Sequence, residues 1–316
     1  MIDYQSALAA AAAAMNLQPT TVVLPTDHFV AINGIRLHYL DWGNPHLPPL
    51  LLLHGGRLQA HTWDMAALLL RDHYHIIALD QRGHGDSDWT PAHTLGTDTF
   101  DLMLEDTRQF IDYFFVNNKG WRQLVLVGMS MGGVNTIRYA ARYPERIKAV
   151  GIVDVAPELL DEGQVMMNQF DRATETMSRF EDFLERARQY LPHRPPDQLR
   201  YSLLHSLKPL PDGRWTWKQD HRAGAIARGA DVLARNGAGG WFYDLWLDLP
   251  RITAPSLLLR GAQSTILSTE VARRAARVLP RGELVTIDPA THNVHSDNPR
   301  DFADALLAFL QRQGWK

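Results

Sequence analysis

The chain has 316 residues, 45% hydrophobic and 21% charged, which suits one large domain or a domain carrying an insertion, with ample capacity for a core. A net charge of -3 gives no footing for nucleic acid or an anionic membrane. The absence of cysteine excludes disulfides and thiolate chemistry and suits a cytoplasmic protein.

The alanine-rich run Ala7–Met15 lacks the basic flank of a signal segment and reads as a short helix or arm, within residues 1–26. No apolar run is long enough to span a membrane. Phe29–Ile32 and Ile35–Leu40 flank Asn33-Gly34, a strong hairpin signal. Leu50–Leu53 is a continuous apolar strand running into His54-Gly55-Gly56. A helix over 60–70, a strand His75–Leu79, the loop Asp80–Ser87 and a helix over 99–117 follow.

Leu124–Val127 then enters Gly128-Met129-Ser130-Met131-Gly132, and a helical pattern runs on to a stop at Pro144. A serine on so sharp a strand-to-helix turn needs glycine on both sides, because side chains there would clash. The helix N-terminus behind it favours developing negative charge. Ala149–Val153 leads into Asp154 and Pro157, after which strand alternation stops. Residues 158–248 read as mostly helical, with Phe180, Phe183, Leu184 and Ala187 at helical spacing and tryptophans at 215, 217, 241 and 246. Alternation resumes with Ser256–Leu259, a helix Thr269–Val278, a strand Glu283–Ile287 and a helix Pro299–Gln313. Strands alternating with helices predict a parallel sheet. The predicted organisation is a core of 27–157 and 249–316 with a helical cap of 158–248 over the C-terminal edge of the sheet.

This order of elements resembles the α/β-hydrolase fold superfamily over residues 27–316, on His54-Gly55, Asp80–Gly85, Gly128–Gly132, Asp154 and His292. The resemblance implies an eight-stranded, mostly parallel sheet flanked by helices, and a serine esterase. Ser130 is then the nucleophile and needs a base. His292 looks like the family's catalytic histidine, although Thr291 stands where glycine is usual before it; His295 reads as structural.

Many relatives carry the acid in a turn after the seventh strand, but here that turn is Gly261-Ala262-Gln263-Ser264-Thr265, with no carboxylate. A subset places it after the sixth strand, about 24 residues beyond the serine, where Asp154 stands; Glu270 and Asp288 are weaker alternatives. Backbone N–H groups of Met131 and Gly56 are the expected oxyanion donors, with Arg57 as fallback for the second. Arg82, His84 and Asp86 read as structural, with His84 alternatively lining the entrance, and Arg179, Arg186 and Arg188 as a solvated helix face.

A serine argues against dehalogenase or epoxide-hydrolase chemistry on this fold, which needs a carboxylate nucleophile. No cofactor is implied, and the His-x-x-His at 292 and 295 has no third ligand nearby, so no metal is expected. The expected partner is a small acyl compound, neither nucleic acid nor membrane, with the oligomeric state open, a dimer included. The bond favoured is a small carboxylic ester or lactone; an amide-type C–N bond, a C–C bond and a non-catalytic binding relative are the alternatives.

Overall fold

The computed structural model describes residues 3–94, 99–160, 176–220 and 245–315. Its centre is an eight-stranded sheet in the order β1-β2-β4-β3-β5-β6-β9-β10. These strands are β1 (Thr26–Ile32), β2 (Ile35–Asp41), β3 (Pro49–Leu53), β4 (His75–Leu79), β5 (Leu124–Met129), β6 (Ile147–Val153), β9 (Ser256–Gly261) and β10 (Gly282–Ile287). The β1–β2 and β2–β4 pairings are antiparallel and every other pairing is parallel. Asn33 and Gly34 both take positive φ (50° and 76°), the two left-handed positions that a two-residue hairpin turn requires.

The central strands are apolar on both faces because both faces are covered. Leu50 and Leu52 of β3, Val125 and Val127 of β5, and Leu257 and Leu259 of β9 enter one core. Leu51, Leu53, Leu124, Leu126 and Leu258 enter the other. The first core is completed by Trp63, by α2 (Asp64–Leu70) and by Phe302, Leu306, Phe309 and Leu310 of α10 (Pro299–Arg312). The second is completed by α3 (Thr99–Asn117), α4 (Met131–Arg142) and α8 (Thr269–Val278). Each fully buried leucine contributes roughly 1.5–3 kcal/mol, so burial of the run Leu50–Leu53 favours its place in the centre of the sheet.

The N-terminal run is helix α1 (Tyr4–Ala14), capped by the Asp3 carboxylate on the Ser6 N–H. Leu8, Ala11 and Ala12 are buried in the first core, so the segment is packed. Between β6 and β9 the described residues form α5 (Phe180–Tyr190), α6 (Pro196–Ser206) and the one-turn α7 (Leu245–Asp248). They also form a hairpin, β7 (Leu207–Pro209) with β8 (Trp215–Trp217), around Pro209 and Pro211 in a segment the sequence reading expected to be mostly helical. Trp215 packs edge-on to Phe180 and Trp217 to Phe183, making the insertion's own small core with Leu199 and Leu203. Trp246 donates to Glu158, and Trp241 lies outside the described residues.

Close backbone approach locks the serine turn to its neighbour strand. A Cβ on Gly132 would stand 2.3 Å from the Leu53 carbonyl oxygen and 2.6 Å from that of His54; one on Gly128 would stand 2.2 Å from the Gly132 oxygen. Gly132→Ala should therefore lower the unfolding free energy by at least about 1–3 kcal/mol, the usual cost of overpacking. Gly120→Ala, with nothing within 4 Å of its Cβ, should be near neutral. Denaturant midpoints of the two variants check this; equal midpoints would contradict it.

Candidate active site

Strands β5 and β6 end level with one another, and β9 beside them runs two residues further. Met129 of β5 pairs with Val153 of β6, and Val153 with Leu259 of β9. The next residues of β5 and β6, Ser130 and Asp154, therefore leave the sheet side by side. Ser130 N–H donates to Val153 O (3.0 Å) and Asp154 N–H to Leu259 O (2.7 Å). Both take positive φ, 50° and 49°, which turns each side chain off the strand line. Such backbone costs on the order of 1–3 kcal/mol per residue and persists only where the surroundings enforce it. For Ser130 the enforcement is the glycine-mediated contact with β3.

The Asp154 side chain is fully buried and takes three hydrogen bonds. Its Oδ1 accepts from Gly261 N–H (3.0 Å), and its Oδ2 accepts from Ser264 Oγ (2.5 Å) and faces His292 Nδ1 at 2.7 Å. A buried carboxylate is tolerated only with such donors. With Nδ1 turned to the carboxylate, Nε2 is the ring nitrogen directed away from Asp154. The histidine itself is partly exposed, its side chain 22% accessible.

The loop carrying His292 lies directly across the end of β9. Only glycine fits at 261, since a Cβ there would meet Thr291 O at 2.0 Å. Asp297 anchors the same loop by accepting from Thr291 N–H (2.9 Å), and Arg194 of the insertion pairs with it at 2.7 Å. Burial works to raise the Asp297 pKa, yet Arg194 and Thr291 hold it below the usual value.

Gly55 and Gly56 flank the serine turn from the end of β3. A Cβ on Gly55 would lie 3.3 Å from Ser130 Cβ, and one on Gly56 would lie 3.9 Å from Met131 Sδ. Met131 opens α4, and Arg57 takes φ 65°. His54 is buried and shapes this loop: Nδ1 donates to Gly55 O (2.7 Å) and Nε2 accepts from Gln81 N–H (3.0 Å). Burial and the neighbouring His84 push its pKa down to about 4.

The family model described as the alpha/beta hydrolase fold matches residues 48–299. The chain belongs to this family. It is 28% identical to the esterase Rv0045c of Mycobacterium tuberculosis, over 94% of each chain. It is 25% identical to the 2-(acetamidomethylene)succinate hydrolase of Mesorhizobium japonicum, over 91% of this chain and 97% of that one. A crystal structure of an E-2-(acetamidomethylene)succinate hydrolase superposes with a TM-score of 0.77 at 24% identity, covering 91% of this chain and 99% of that one. A structure of the mycobacterial esterase gives 0.76 at 25% identity, covering 98% and 99%.

The remaining candidates of this alpha/beta hydrolase lie elsewhere. Glu270 is exposed on α8, and Asp288 is exposed and accepts from Gln263. Arg82 makes a buried two-point pair with Asp106, His84 is buried on Arg82 O, and Asp86 pairs with Lys218 of the insertion. Arg179 pairs with Asp182, and Arg188 with Glu185. The sequence reading missed Ser264, whose hydroxyl stands in the turn where many relatives carry the acid and points instead at Asp154.

His295 is fully buried, its ring stacked 3.9 Å from that of Trp63. Burial pushes its pKa down to about 3. Unfolding raises it toward about 6.5, so the unfolded chain binds the extra proton and stability falls as pH drops from there toward 3. His38 has the opposite sign: burial opposes its charge, but Asp27 and Asp80 raise it to about 9, and that contribution fades as pH rises through 9. His295→Gln should flatten the acid limb of stability by up to about 1.4 kcal/mol per pH unit between pH 6 and 4. Guanidinium midpoints across that range check it; parallel curves for variant and wild type would refute it.

Proposed function

We propose that this alpha/beta hydrolase is a cytoplasmic serine hydrolase cleaving a small carboxylic ester through an acyl-enzyme. The observation that carries the reading is the 2.7 Å contact between buried Asp154 and His292 Nδ1, beside a serine held at positive φ on a strand-to-helix turn. Ser130 Oγ attacks the acyl carbon while His292 takes its proton on the ring nitrogen away from Asp154. Asp154 fixes the tautomer and offsets the imidazolium charge. The N–H groups of Met131 and Gly56 receive the developing oxyanion, one from the start of α4 and one from the β3 loop. His292 then protonates the departing alcohol and activates the water that frees the acid.

Residues 158–248 are proposed as the cap over this site, set on a core of 27–157 and 249–316. Its described part is tied to the loops around the site: Gln59 to Ser206, Gly83 to Asp220, Asp86 to Lys218, and Asp297 to Arg194. Trp215 and Trp217 serve its internal core, so substrate preference falls to other cap residues.

The ester reading has the support of the 28% identical esterase, and amide-type C–N cleavage has that of the 25% identical succinate-derivative hydrolase. A panel of short acyl esters, lactones and amides separates the two: amide turnover without ester turnover replaces the first reading. A fluorophosphonate should label Ser130, and Ser130→Ala should lower kcat by about 10⁴- to 10⁶-fold with an unchanged melting curve. Asp154→Asn should lower kcat by up to about 10⁴-fold by favouring the wrong tautomer. Near-wild-type hydrolysis by Ser130→Ala would end the serine mechanism; an active Asp154→Asn beside an inactive Glu270→Gln or Asp288→Asn would move the acid.

A further inference from the structure

A second polar cluster, made of other residues, sits where the insertion meets the core. His61 lies on the 3₁₀ turn Ala60–Trp63, Asp64 begins α2, and His205 comes from the last turn of α6. The two imidazoles stack with centroids 3.5 Å apart. Asp64 is 1% exposed, and its Oδ2 accepts from Tyr201 Oη (2.5 Å) and faces His61 Nδ1 (2.8 Å). Its other oxygen, Oδ1, is buried without a hydrogen-bond partner, as is Nε2 of His205, a residue 8% exposed.

The cluster thus holds a buried carboxylate oxygen and a buried imidazole nitrogen that no hydrogen bond uses. One nitrogen of each histidine and one Asp64 oxygen lie within 4.8 Å of one another. Ligand atoms around tetrahedral zinc stand roughly 3.3 Å apart, a spacing that modest side-chain rotations reach. We propose that His61, Asp64 and His205 bind one divalent transition-metal ion of the zinc class, which joins α6 of the insertion to the start of α2. Imidazole and carboxylate donors suit zinc, and cobalt in its place gives a visible spectrum. The site shares no residue with Ser130, His292 and Asp154, so it stands whether or not the esterase reading does.

The test uses the tag-free, chelator-treated full chain, titrated with Zn²⁺ by calorimetry and with Co²⁺ by absorption. One ion per chain is expected, with tetrahedral Co²⁺ bands and a melting midpoint that rises with Zn²⁺ concentration. His61→Ala and His205→Ala should each weaken binding by more than about 100-fold, beyond the usual cost of losing an outer partner. His292→Ala should bind as wild type does. Should His205→Ala fail to fold, the partly exposed His61 carries the comparison. The proposal is overturned by absence of saturable binding. Binding that survives both substitutions, or that His292→Ala abolishes, would overturn it equally.

Discussion

Everything around the proposed site depends on one buried negative charge. Asp154 has no exposed surface, and a bare carboxylate there would cost several kcal/mol in lost hydration. Three donors replace that water, and each fixes a different piece of chain: Gly261 the end of β9, Ser264 the turn beyond it, and His292 the loop before α9 (Val294–Asp297). The same oxygen that accepts from Ser264 also faces His292, so the hydroxyl and the imidazole are set by a single atom. Ser264 Oγ in turn accepts from the N–H groups of Ile266 and Leu267 (3.2 Å each), which holds the hydroxyl in line with the carboxylate. A turn that carries the acid in many relatives serves here to hold an acid supplied by the neighbouring strand.

The second constraint is close backbone contact. The serine turn cannot relax, because Gly132 lies against two carbonyl groups at the end of β3. The histidine loop cannot lift without leaving Gly261, whose missing side chain makes room for Thr291. Glycines at 128, 132 and 261 thus place two loops, the serine turn and the histidine loop, by allowing contact. Ser130 and Asp154 need only follow their strands, whose ends the parallel register already aligns.

These features were unequally legible in the amino-acid sequence. The sheet strands and the long helices were readable because burial on both faces imposes long apolar runs, and Asn33-Gly34 marks its turn by the backbone it must adopt. The neighbourhood of Ser130, Asp154 and His292, the residues of the proposed site, was readable because a local glycine pattern, a strand end and a final loop each carry a short-range signature. The hairpin of β7 and β8 was not, because strands of three residues give too little alternation to outweigh the surrounding helical pattern. Ser264 was invisible for another reason: its partner is 110 residues away, and nothing near a lone serine shows that a buried carboxylate faces it. The triad of His61, Asp64 and His205 is the same case, since two of its members sit one helical turn apart and the third arrives on the insertion.

The insertion is more than a lid laid on the sheet, because it grips parts of the core that the proposed chemistry uses. Arg194 neutralises Asp297, and Asp297 holds the Thr291 backbone next to His292. Gln198 reaches the Ser296 carbonyl at 2.6 Å in the same short stretch. Tyr201 and His205, on the following turns of α6, reach Asp64 and His61 on the core side. Helix α1 packs against α6 from outside, with Tyr4 beside His205 at 5.0 Å. A displacement of α6 would therefore be felt first at Asp297 and so at the histidine loop, before it reached Asp154 or Ser130, which are held by the sheet. Asp154 and Ser130 belong to the part of the molecule held by the sheet, while the position of His292 is shared between the sheet and the insertion.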